Sequence, residues 1–175
     1  MNRFLIKIGD DGAVTDVFQS YGMVLEDMPS VIPLVPKNIY SHSWPDEDGD
    51  DEYIPETIRY EAAECDFTFG CSSTDSSNTV FDKLNTFLEW LRSGTFSFYC
   101  EYSGVGRQNV RLSELHDDAR YSKHTLRRNG VDVTEEVLSF TVTFKINNPK
   151  TAVVLSFTEN SGGEQEEPAG GEEEI

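Results

Sequence analysis

A chain of 175 residues and 19.7 kDa has room for one globular domain and a tail. Its hydrophobic fraction is only 37%, yet eleven Phe and seven Tyr supply a core, which excludes wholesale disorder, and no apolar run reaches the ~18–20 residues of a membrane span. The formal net charge of -18 is the wrong sign for non-specific nucleic-acid binding, which needs Lys and Arg to displace counterions from phosphate.

In chain order, Phe4-Leu5-Ile6-Lys7-Ile8 reads as a short strand. Lys7 interrupts the apolar start, so no secretory core is expected and synthesis in a cytoplasm-like compartment follows. Gly9-Asp10-Asp11-Gly12 predicts a turn, and Ala13–Phe18 a second strand. Residues 28–37 hold Pro29, Pro33 and Pro36, which suits an edge segment or an extended connector. Asn38–Trp44 is expected as a strand. It leads into an acidic loop, Asp46–Tyr53, with six acids in the seven residues 46–52. Thr57–Cys71 is a long extended stretch. Cys65, Phe67, Phe69 and Cys71 share one face, while Ile58, Tyr60 and Ala62 alternate in the opposite phase, which predicts a β-bulge or a bend between them.

One helix is expected, over residues 80–92, from Val80, Phe81, Leu84, Phe87, Leu88 and Leu91 at helical spacing. Ser77, Asn78 and Thr79 offer N-caps, Arg92 sits in the last turn and Gly94 can follow the C-cap. Trp90 lies off the main stripe, at the edge of the packing or on a partner. Phe96, Phe98, Cys100 and Tyr102 then alternate as a strand, Gly104-Val105-Gly106 reads as a turn, and Val110 with Leu112 marks the return. Residues 116–130 are polar, basic and open to either strand or loop. Leu138, Phe140, Val142, Phe144 and Ile146 form the clearest alternation in the chain and are expected to face the core. After a last apolar run, Ala152–Phe157, residues 158–175 carry seven Glu and no Lys or Arg; this acidic tail is expected to be disordered and dispensable for folding.

The order strands, helix, strands predicts a mainly β domain over residues 1–157. The expected form is an antiparallel β-sandwich or half-barrel with one flanking α-helix. Strands not separated by repeated helices disfavour a doubly wound α/β fold.

The motifs of chemistry are absent from the sequence. His42, His116 and His124 stand in no HExxH and at no zinc-finger spacing. His116-Asp117-Asp118 is better read as an exposed polar loop than as a metal site. There is no GxSxG, P-loop or GxGxxG. Asp46, Asp48 and Asp50 begin like a calcium loop, but Asp51 stands where that loop needs Gly and Thr57 where it needs Glu. The three cysteines include no CxxC, and Cys65 and Cys71, six apart in a strand, are too distant for a disulfide. The chain is therefore expected to have no catalytic residue, no cofactor and no metal.

The order of features resembles a known family. Tyr21-Gly22 is followed by an extended segment, the acidic glycine-containing loop Asp46–Tyr53, a long alternating strand ending near Cys71, a helix Phe81–Gly94, an aromatic strand, and an alternating strand closing at Asn147-Asn148-Pro149. Over about residues 15–149 this is similar to the N-terminal domain of siphophage distal tail proteins and to the wider phage tail-tube-like fold, nearest to versions from phages and prophages of Bacteroides-type hosts. The resemblance implies a virion structural protein. It would form rings, usually hexamers, assemble in the host cytoplasm, join the tail tube to the tip or hub, and have itself and other phage tail proteins as partners. A second, carbohydrate-module-like domain does not follow residue 157 here, so direct host-sugar binding is not expected. Alternative readings are a head–tail connector or tail-terminator protein, or a β-sandwich binding or adaptor module outside phages. In the ring reading, Trp44, Asp46, Glu47, Asp48, Asp50, Asp51, Glu52 and Tyr53 form a loop that lines the pore or contacts the adjacent subunit. The plainer reading is a solvated surface loop.

Overall fold

The strongest alternation of the sequence becomes the spine of the fold. In the computed structural model, which describes residues 3–158, β10 runs from Val131 to Ile146 and pairs along one side with β6 (Ala63–Ser73). Along its other side the C-terminal half of β10 pairs with β8 (Val105–Leu115) and its N-terminal half with β9 (Arg120–Arg128). Beyond β8 lie β7 (Phe96–Cys100), β1 (Phe4–Ile8) and β2 (Val14–Asp16); beyond β6 lies β3 (Met23–Asp27). All neighbours are antiparallel. The protein is mainly β, as expected.

The sheet curls over its own apolar face. Phe4 on β1 meets Phe67 and Phe69 on β6 at centroid distances of 6.1 and 5.6 Å, although three strands separate β1 from β6 in the sheet. Leu138, Phe140, Val142, Phe144 and Ile146 all point into this core, with Phe98 and Cys100 of β7 opposite. Cys65, Cys71 and Cys100 are free thiols in it.

The expected helix is α2, Val80–Arg92. Thr79 caps it in a capping box: its hydroxyl accepts from the Asp82 amide, and the Asp82 carboxylate accepts from the Thr79 amide. Phe87, Leu88 and Leu91 bury against the sheet, and Phe87 meets Phe69 edge-on at 5.3 Å. Trp90 stacks on Tyr21 at 4.7 Å, so the residue off the main stripe packs within the molecule. The helix ends at Ser93 in right-handed geometry, its amide bonding Trp90 O, so Gly94 does not supply a left-handed cap.

Several boundaries differ from the linear reading. Ala13–Phe18 is not one strand: a second helix, α1, spans Val17–Tyr21. The buried Asp16 carboxylate accepts from the amides of Phe18 and Gln19, and Gly22 closes the turn at φ 67°. The turn after β7 ends at Gly104, and Val105 and Gly106 already belong to β8. Tyr102 lies outside β7 and is exposed. The opposite phase of Ile58–Ala62 is not a bulge inside one strand. There the chain pairs locally, with Lys37 N bonding Arg59 O and Glu61 N bonding Val35 O, before it enters the sheet at Ala63. Ala152–Phe157 is no strand; it follows β8 through one bridge, Arg107 to Ala152. The expectation for the acidic tail falls outside the described residues, apart from Thr158. Among the described residues, no helix is long and apolar enough to cross a membrane.

Candidate subunit-contact site

The expected acidic loop is half strand. Tyr40–Ser43 (β4) and Asp50–Tyr53 (β5) form a two-stranded ladder of their own, with Tyr40 opposite Tyr53 and His42 opposite Asp51. The correction has a simple cause: alternation along Asp50-Asp51-Glu52-Tyr53 is invisible when three of four residues are acids, but the ladder needs only backbone partners. Trp44 to Gly49 make the turn, Gly49 at φ 95°. Bonds between residues 35–37 and 59–61 close the stem below, so residues 35–61 form one arm leaving the sheet.

Pairing sorts this arm into two faces. Tyr40, His42, Asp51 and Tyr53 share one face, and Ser41, Ser43, Asp50 and Glu52 share the other. Trp44 extends the first: its indole N–H donates to Asp51 Oδ2 at 3.2 Å, and its ring meets His42 edge-on at 4.2 Å. Every β4 and β5 residue is exposed, with Tyr40 at 72%, Tyr53 at 73% and Trp44 at 49% of their free surface. Of the expected site residues, the structure therefore brings Trp44, Asp51 and Tyr53 together on one face. It puts Asp50 and Glu52 on the reverse face and Asp46, Glu47 and Asp48 in the turn. None of the six acids forms an ion pair among the described residues.

A second arm went unread in the sequence. β9 and the first part of β10 extend past the sheet, since β6 begins to pair β10 only at Glu136. The hairpin turns at Asn129-Gly130, both left-handed at φ 51° and 81°. Asn-Gly is the strongest short hairpin signal a sequence holds, and it was the available clue. Residues 116–130 thus resolve as a short connection after β8, then β9 and this turn. Arg120, Lys123, Arg127 and Arg128 make β9 basic, with no acid in it. On the outer face lie Leu126, Val131, Val133 and Val137, flanked by Arg120, His124, Arg128 and Glu135. On the inner face Lys123 pairs with Glu136 at 3.1 Å and Tyr121 packs on Phe81 of α2 at 5.2 Å. The Lys123 hydrogen bond holds the Glu136 carboxyl below its usual range, and Glu136 in turn raises Lys123.

His116 and Asp118 have different partners. His116 Nε2 hydrogen-bonds Thr143 Oγ1 at 2.7 Å and lies 3.5 Å from Asp66, while Asp118 accepts from Thr141. An apolar concavity of about 340 Å³ opens where β3 faces the ends of β1 and β7, lined by Phe4, Met23, Leu25, Met28, Cys100 and Tyr102. No linear pattern announces it, because its walls come from distant segments. Compared with known proteins, the chain matches no protein-family model and no curated protein sequence.

Proposed function

We propose that this protein is a structural, ring-forming subunit of a phage tail, of distal-tail or tube type, joining the tail tube to the tip. The observation that carries this reading is the β4–β5 ladder. An isolated two-stranded hairpin is marginal in water, yet this one stands off the sheet with an aromatic face that is exposed among the described residues. Aromatic residues are enriched at subunit interfaces. An arm of this kind supports a protein whose information lies in the faces it offers to neighbours. The mainly β fold with one long flanking helix agrees with the architecture that the family resemblance implies. In this reading the chain acts without catalytic residues and without a cofactor, and its partners are further copies of itself and other tail proteins. The strong net negative charge also suits a conduit through which DNA must slide without sticking.

Light scattering after gel filtration, with negative-stain microscopy of the same fractions, tests the proposal. The expected result is a single oligomer seen as rings with a central pore. A monomer at every concentration would overturn it and leave the binding-module reading.

A further inference from the structure

The two arms carry opposite charge around apolar centres. Of the six acids of the β4–β5 arm, Asp51 shares the aromatic face, Asp46, Glu47 and Asp48 sit in the turn and Asp50 and Glu52 lie on the reverse face, and none forms an ion pair among the described residues. The outer face of the β9–β10 arm presents Leu126 and the half-buried Val133 and Val137, with Val131 63% exposed, between Arg120 and Arg128. Arg120 forms no ion pair among the described residues. Arg128 reaches Glu135 only at 4.0 Å with most of its side chain in water, a pair of little energetic weight that can be exchanged for another carboxylate. Both are unpartnered sheet faces, and each chain has one of each.

We infer that the aromatic face of the β4–β5 arm in one copy seats on the outer face of the β9–β10 arm in the next copy, with the acids of the first around Arg120 and Arg128 of the second. This inference rests on the ring-subunit reading and names the partner of its contact site. Tyr40, Trp44 and Tyr53 cover Leu126, Val131 and Val133, so apolar surface leaves water on both sides while opposite charges meet at the rim. Because the two faces differ, the contact is head-to-tail. Repetition about an axis then closes a ring and leaves no unlike face over.

Charge exchange tests this. The triple variant Asp46→Lys, Asp48→Lys, Asp51→Lys and the double variant Arg120→Glu, Arg128→Glu are each expected to raise the concentration for half-assembly at least tenfold. All five changes in one chain restore the match and are expected to restore rings. All changed residues are exposed, and circular dichroism with melting confirms the fold of each variant. In a Trp90→Phe background, quenching of Trp44 by acrylamide is expected to fall on assembly. Rings that form alike in the wild type and in both single-arm variants, with Trp44 still quenched, would overturn this pairing and leave the ring reading standing. So would a folded five-fold variant that fails to assemble. A wild type that stays monomeric would instead remove the ring reading itself.

Discussion

Phe140 lies between Phe69 and Phe87, at centroid distances of 6.0 and 6.4 Å, with its side chain out of water. Truncation leaves a cavity in a layer of rings that cannot collapse around it. Phe140→Ala is expected to cost about 3–5 kcal/mol of unfolding free energy, measured by denaturant titration. Gly106 illustrates a different constraint. A Cβ there would collide with the carbonyl oxygens of Val153 and Phe98, which are backbone and cannot swing away. The final apolar segment therefore follows β8 closely only because residue 106 has no side chain. All three thiols are buried, and burial pushes Cys71 up to about 11, which leaves almost none of it as thiolate at neutral pH. A thiol reagent at pH 8 is expected to label none of the three cysteines in the folded protein and all three once it is unfolded. Fast labelling of the native protein would contradict the burial described.

At the scale of elements, the β9–β10 arm depends on local chemistry more than on the core. Its turn needs left-handed backbone at both Asn129 and Gly130, which β-branched residues resist. Replacing Gly130 by Val is expected to abolish amide-exchange protection over residues 120–135 while the core of β6 stays protected. The arm also responds to acid. Glu136 has a depressed pKa, chiefly through the Lys123 hydrogen bond. A carboxyl depressed in the folded state contributes stability above its ordinary value of 4.5, and that contribution is lost as the pH falls through the lowered folded value. Arm amides followed by NMR are expected to lose protection below about pH 4, and Glu136→Gln, which cannot ionise, is expected to flatten that response. The helix α2 contrasts with this arm, because its capping box, apolar stripe and buried Phe87 all specify the same element.

At the scale of the whole molecule, charge and shape act together. The curled sheet leaves β2 and β3 as its edges and sends two arms outward, one acidic and one basic. If these arms meet between copies, added salt screens an attraction. The Debye length falls from roughly 10 Å at 0.1 M to roughly 3 Å at 1 M. The half-assembly concentration, read by light scattering, is then expected to rise with salt. The opposite trend, rings favoured by salt, would point to acidic arms crowded together around a pore.

What the sequence determined by itself was periodic and local. Period two in Cys65–Cys71 and Leu138–Ile146 and period 3.6 in Val80–Leu91 each make one face apolar, and a face that must leave water announces itself in a linear pattern. The mainly β class and its long helix followed from these stretches. What only the tertiary structure decided was pairing. β5 is a strand because β4 supplies its hydrogen bonds, β9 because β10 does, and neither buries a face that alternation could reveal. The same holds for the contact site: Trp44, Asp51 and Tyr53 were legible as candidates, but their shared face, and the basic arm that could meet it, arise from cross-strand register. Register is set between segments, so composition and spacing along one segment do not carry it.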